Sequence, residues 1–214
     1  MVEAGRVRNR LHALLGVLAP GYRAATGALA SRPALARARQ LVEHAAPIDA
    51  VRARLALAAI ARLDALELEC ATLARDITAA LKPLQPTRLL AICGVGPLTA
   101  AKLLGETHGT ARFASAAAFA AHAGTAPVPA SSGQVVRHRL ARGGNRQLNR
   151  ALFTVAMCQA RWDPAARAYL ARKRAEGKSP AEARRCLKRH LANVVYRAMA
   201  ADEHARRTRP TAIA

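Results

Sequence analysis

Two adjacent serines, Ser131 and Ser132, precede Gly133 and are followed by Arg137, Arg139, Arg142, Arg146 and Arg150. No Asp or Glu occurs from Thr107 through Trp162. A hydroxyl nucleophile among guanidinium groups, with no carboxylate nearby, suits a phosphodiester rather than a metal ion or a cationic substrate. Planar guanidinium forks hold phosphate oxygens and offset the charge that builds on them. A serine hydroxyl needs a partner to take its proton before it attacks. No His–carboxylate pair is local, and His138 sits among arginines that disfavour a second positive charge on its ring. By spacing alone Ser132 reads as a turn serine in a Ser-Gly pair, and each arginine alone is equally a solvated surface residue.

The charge balance points the same way. The chain has 214 residues, and 34 basic against 13 acidic side chains give a formal net charge of +21. Such an excess repels itself unless a polyanion relieves it, which makes nucleic acid the expected partner. Arginine outnumbers lysine 29 to 5, a bias that genomic base composition also promotes. Hydrophobic residues make up 52% but aromatics only 3%. The core should therefore be thin, alanine-rich and helical, and single-strand binding by base stacking is disfavoured. Cys70, Cys93, Cys158 and Cys186 lack metal-ligand spacing and read as buried, reduced thiols of a cytosolic protein. The start, MVEAGRVRNRLHALL, is charged and amphipathic, unlike a signal peptide or a membrane span. His12, His44, His122 and His190 are scattered, and Trp162, beside Asp163 and Pro164, reads as a core anchor.

The elements that must position these residues are mainly α. Val7, Leu11, Leu14, Leu15 and Leu18 share a helical face ended by Pro20-Gly21, and residues 21–33 read as a loop before a helix over 34–46. From Ile48 to Leu84 the apolar positions Ile48, Val51, Leu55, Ala59, Leu63, Leu66, Cys70, Leu73, Ile77, Ala80 and Leu84 recur every three or four residues. This predicts one long helix, either a coiled-coil-like arm that dimerises or a helix packed on the two before it. Pro83 and Pro86 mark a boundary.

Beyond it, residues 88–109 predict two helices joined by Gly94-Val95-Gly96, with Pro97 at the first helical position. This is similar to a helix-hairpin-helix, in which Gly94, Val95 and Gly96 let the backbone approach a phosphate and Thr99 and Lys102 lie close by. Ser115 caps a short helix that Gly124 breaks. Pro127 to Pro129 and Gln134 to Arg137 predict a small irregular or β-hairpin segment with Ser131, Ser132 and Gly133 at its tip. Asn145 caps the next helix, in which Leu148, Leu152, Val155 and Gln159 share a face. Another helix starts at Asp163-Pro164, and Ser179 to Glu182 form a capping box. The last helix buries Ala183, Leu187, Leu191, Val194, Val195 and Ala198, and the chain from Asp202 reads as frayed. The expected organisation is a helical linker and arm over 1–86, a compact helical domain over 87–201 and a disordered tail over 202–214.

These runs carry a resemblance. CGVGPLTAAKLLGE, then RF, AHAGTAPVPASSG, RGGNRQLNRAL, DP and GKSPAEA resemble, in order, the C-terminal domain of an insertion-sequence transposase family. That family includes the Piv DNA invertase and bridge-RNA-guided recombinases. VRNRLHALLGVLAP, Arg6 to Pro20 with its neighbours, looks like the helix leading into the family's coiled coil. The resemblance implies serine-mediated DNA strand exchange, with Ser132 as nucleophile and Ser131 as the alternative register. It implies contacts to DNA or RNA at Gly94, Val95, Gly96, Thr99, Lys102, Arg137, Arg139, Arg142, Asn145, Arg146 and Arg150. The implied partners are DNA, a structured guide RNA and a second copy through the coiled coil, in a bacterial cytoplasm at the nucleoid. The family's RuvC-like domain, with its four acidic residues for Mg²⁺, has no counterpart here. The sequence therefore reads as an N-terminally truncated transposase with no cofactor of its own. The alternative reading is a catalytically inactive nucleic-acid-binding module, or an antagonist of a full-length transposase.

Overall fold

The computed structural model describes residues 2–44, 46–129, 138–139, 141 and 143–208. The protein is mainly α, and it divides into two compact units, Met1–Arg75 and Asp76–Ala214. The division falls within a helix, upstream of Pro83 and Pro86.

In the first unit, α1 (Val2–Leu18) buries Leu11 and Leu15, one turn apart on the stripe the sequence predicts. Residues 21–33 are not all loop. Gly21, with φ 82°, admits the short helix α2 (Tyr22–Thr26), in which the Thr26 hydroxyl donates to the Tyr22 carbonyl at 3.1 Å. The run of Gly, Ala and Ser around it carries no apolar period, so the pattern hid it. α3 spans Arg32–Glu43 and α4 spans Ala50–Leu81. α4 divides the two expectations for it. Ala56, Ala59, Ile60 and Leu63 are buried in one core with Leu11, Leu15, Leu35 and Val42. Beyond them Leu68 is 60% exposed and Leu73 53% exposed. The Arg39–Asp64, Arg62–Glu3 and Arg32–Glu67 pairs tie α4 to the earlier helices at the surface. Exposed pairs of this kind contribute at most about 1 kcal/mol each.

The second unit gathers α5 (Thr87–Leu90), α6 (Pro97–Thr107), α7 (Ala116–His122), α8 (Arg146–Trp162), α9 (Pro164–Ala175) and α10 (Pro180–Arg207). Ser115, Asn145, Asp163 and Ser179 each accept a backbone N–H at a helix start, and Ser179 with Glu182 forms the capping box. α10 packs on α5, α7, α8 and α9. Its inward face carries Ala183, Leu187, Leu191, Ala192, Val195 and Met199, while Val194 and Ala198 are only partly covered. The few aromatics concentrate here. Phe113 and Phe119 meet edge to face at 5.4 Å, Phe119 meets Tyr196 at 5.7 Å, and the Tyr196 hydroxyl donates to the Phe113 carbonyl.

Three expectations are corrected. α10 continues to Arg207, and Asp202 is 4% exposed, so residues 202–207 are helical and belong to the unit, while 209–214 lie outside the described residues. Trp162 is 68% exposed, with the Arg161 guanidinium 4.9 Å from its ring, so it anchors no core. It is the last residue of α8, one position before the cap of α9, where the chain turns outward. The four cysteines are free, but Cys70 and Cys93 are exposed and Cys158 and Cys186 only partly covered; Cys70 lies on the part of α4 beyond the core formed with α1 and α3.

Candidate nucleic-acid interface

Val128–Pro129 (β1) pairs antiparallel with His138–Arg139 (β2), in the register Val128 to Arg139 and Pro129 to His138. The serine-bearing stretch therefore lies in the chain between two paired segments. Ser131, Ser132, Gly133, Arg137 and Arg142 lie outside the described residues, and Arg139 is described by its backbone alone.

Below that pairing the two ends of the stretch cross at a neck that only glycine fits. A Cβ on Gly124, at φ 63°, would stand 2.8 Å from the Gly143 carbonyl oxygen. A Cβ on Gly144, at φ 97°, would stand 2.7 Å from the His122 carbonyl oxygen and 2.8 Å from the Gly124 nitrogen. Real side chains do not approach backbone so closely, and L residues resist positive φ. The Asn145 N–H then donates to the His122 carbonyl at 2.7 Å, closing the crossing.

Side chains from three helices hold the neck. The Asn145 carbonyl oxygen accepts the N–H groups of Gln147 and Leu148, capping α8, while its amide donates to Glu106 of α6 at 2.7 Å. Asn149 donates to the Ala123 and Gly124 carbonyls, both at 2.9 Å. Lys188 of α10 donates to the Asn149 side-chain oxygen at 2.9 Å. Arg146 and Arg150 stand exposed on the first turns of α8. The Asn145 side chain is thus committed within the protein, a role its residue type at a helix start already suggested.

The Gly94 turn takes its expected form, with Gly94 at φ 85° and Pro97 opening α6. Its internal assignments differ from residue to residue. A Cβ on Gly94 would meet the Cys158 Cβ at 2.8 Å, so this glycine allows α8 to approach. Val95 is buried, and its N–H is taken by the Ile92 carbonyl at 2.9 Å. Gly96 is exposed, with no atom near its Cβ position, and Thr99 and Lys102 follow, partly covered. Gly96 and the first turn of α6 are therefore the open part of this turn.

α6 and α8 run in opposite directions. Glu106, near the end of α6, reaches Asn145, while Gln159, near the end of α8, donates to the Cys93 carbonyl at 3.0 Å. At 1.5 Å per residue the two contacts lie roughly 20 Å apart along α8. Among the described residues, those read from the sequence as nucleic-acid contacts fall in two groups, one at the neck with Arg146 and Arg150 and one at the Gly94 turn.

The six carboxylates from Thr87 to Thr208 are all hydrogen bonded within the unit. Glu106 accepts from Asn145, Asp163 and Glu182 cap helices, and Glu176 accepts from Lys173. Asp202 takes the N–H groups of Arg88 and Leu89, and Glu203 takes the N–H and hydroxyl of Thr110. Among the described residues no three Asp, Glu, His or Cys side chains converge, so they do not fit the Mg²⁺ site that the resemblance assigns to another domain. Against these six carboxylates the same stretch carries 21 Lys and Arg, leaving its surface basic.

Burial, and secondarily the charge of Arg185, holds the Lys188 pKa below the ordinary lysine value of 10.5. Across that interval the unfolded chain keeps a proton that the folded chain has lost. Stability should therefore rise as pH climbs through the lowered pKa towards 10.5 and fall as pH drops back through it. Urea unfolding at a series of alkaline pH values should show this slope in the wild type and a flatter one in Lys188→Met.

The neck glycines, the Asn145 cap and the Gly94 turn all fall within one stretch that matches a known family. Residues 87–171 match the sequence model of the Transposase IS116/IS110/IS902 family. Over 115 residues the chain is also 43% identical to the uncharacterized 43.6 kDa protein of insertion element IS110 from Streptomyces coelicolor. Over 110 residues it is 39% identical to the uncharacterized 42 kDa protein of insertion element IS900 from Mycobacterium paratuberculosis. The alignments take in 53% and 50% of this chain and 28% of each relative.

The segment that matches the family model thus covers α5 to α8 and the first two turns of α9, and leaves all of α10 outside the matched residues. Lys188, Asp202 and Glu203 of α10, which hold the neck, α5 and the Thr110 turn, were missed from the sequence. One signal was present: with so few acidic residues in this unit, each was a candidate tie for an N–H group rather than a solvated charge.

Proposed function

We propose that the unit Asp76–Ala214 is the DNA-engaging, serine-bearing part of an insertion-sequence transposase. The match of residues 87–171 to the transposase family carries this reading, and the glycine neck below the serine-bearing stretch supports it. Ser132, or Ser131 in the alternative register, attacks a backbone phosphorus. An O–P bond to the serine forms as the bond to a 3′- or 5′-oxygen breaks, and that oxygen takes up a proton. Arg137, Arg139 and Arg142 stabilise the phosphate oxygens, where charge-assisted forks act most strongly. Arg146 and Arg150 on one side, and Gly96, Thr99 and Lys102 on the other, hold the flanking backbone. Nucleic acid, DNA or a guide RNA paired to it, supplies the counter-charge for this surface.

The exposed Leu68 and Leu73 of α4 suit a second copy laid along that helix. This feature also favours a second reading, in which the chain pairs with a longer transposase and acts as a silent binding module.

The deciding experiment supplies a separate metal-holding domain from a relative and looks for protein covalently joined to DNA on a denaturing gel. Ser132→Ala should abolish the adduct and leave duplex binding intact. Loss only in Ser131→Ala moves the nucleophile by one residue, and adducts surviving in both variants overturn the catalytic reading. No adduct from the wild type, with binding that weakens steeply as salt rises, selects the silent module. Salt-insensitive binding removes both readings.

A further inference from the structure

We infer that Lys188, acting through Asn149, is a positioning residue for the neck at which Gly124 crosses Gly143 and Gly144. This rests on the reading above for its role in reaction, while the contact itself stands on geometry. The chain of bonds runs from Lys188 Nζ to Asn149 Oδ1 at 2.9 Å, then from Asn149 Nδ2 to the Ala123 and Gly124 carbonyls, each at 2.9 Å. Gly124 is the residue at which one end of the stretch leaves α7, and it crosses the other end against Gly143 and Gly144. Asn149 has a single carbonyl oxygen, and Lys188 occupies it, so the lysine fixes which way the amide faces. With the amide reversed, an oxygen would confront two carbonyls and the neck would lose both bonds. The ammonium thus holds the Gly124 side of the neck without being near it in sequence.

Lys188 is half-buried and makes no ion pair among the described residues, since every carboxylate of the stretch 87–208 is engaged elsewhere. A buried charge without a counter-charge opposes stability. A methionine of similar length removes that cost together with the hydrogen bond, so the global fold should hardly respond. A purely structural lysine would instead lower the melting temperature when removed.

The test compares wild type, Lys188→Met, Lys188→Arg, Asn149→Ala and the double variant in the full chain, by amide hydrogen exchange. The reporters are the N–H of Thr125, which donates to the Ala120 carbonyl just after α7, and the N–H of Asn145, which donates to the His122 carbonyl across the neck. The control is the N–H of Leu89, held by Asp202. Lys188→Met should speed exchange at both reporters about tenfold, the worth of one charge-assisted hydrogen bond. Leu89 should be unaffected, arginine should restore part of the protection, and the lysine change should add nothing to Asn149→Ala. Unchanged reporters, or a rise shared equally by Leu89, overturns the inference. In the adduct assay Lys188→Met should slow the reaction at saturating DNA while leaving DNA affinity unchanged. Absence of adducts from the wild type itself condemns the transposase reading, and the exchange data still judge the neck.

Discussion

Gly144→Ala should lower the melting temperature of the unit Asp76–Ala214 by on the order of 10 °C, whereas Gly143→Ala, its neighbour, should leave it nearly unchanged. The methyl group of alanine at 144 would sit 2.7 Å from one backbone oxygen and 2.8 Å from a backbone nitrogen, at a φ of 97°. Neither atom belongs to a side chain that can swing aside, so the chain itself must move. Overpacking of this kind costs about 1–3 kcal/mol and the backbone strain about as much again. A Cβ at Gly143 meets nothing within 4 Å, and that glycine is not among those with positive φ. Thermal melts followed by circular dichroism separate the two. Equal melting temperatures for the pair would mean that the crossing of residues 124 and 144 does not form. Adduct formation should fall with Gly144→Ala even at temperatures where the variant is folded, because the two ends of the serine-bearing stretch no longer meet.

Asp202→Ala should cost about 3 kcal/mol, since a buried carboxylate that accepts backbone N–H groups leaves them unsatisfied when it goes. Its oxygens take the N–H of Arg88 at 3.1 Å and the N–H of Leu89 at 3.0 Å, with the Thr87 hydroxyl at 3.5 Å. α5 has only four residues and no cap from its own flank, so Asp202 is what satisfies its first turn. Asp202→Asn keeps one acceptor oxygen and should lose roughly half as much. Urea unfolding measures the loss. Duplex binding at constant salt should weaken for Asp202→Ala well below its midpoint, because α5 seats the Gly94 turn. Unaltered stability in Asp202→Ala would show that water replaces the carboxylate at no cost.

Much of the second unit was legible because local chemistry and apolar period agree there. Ser115, Asn145, Asp163 and Ser179 each stand where a helix start needs an acceptor, and Leu148, Leu152, Val155 and Gln159 fall on one face and are buried. The Gly94 turn was legible for the same reason, although its glycines do different things. Gly94 yields space to Cys158, which no local rule reveals, whereas Gly96 stays open. The long period of α4 was visible, but which stretch of it is covered depends on where α1 and α3 end. Contacts across more than a hundred residues, such as Asp202 with Leu89, leave no local trace. Trp162 misled because size suggested burial, whereas its place at the turn between α8 and α9 decided exposure. The serines themselves lie outside the described residues, so their assignment rests on the motif.

The bond from Asp202 to Leu89 spans 113 residues, which fixes an order of events during synthesis. The ribosome must deliver the chain through residue 202 before α5 can be completed, and closing so long a loop is slow. A message broken before codon 202 yields a nascent product whose leading turn stays open to water and to proteases.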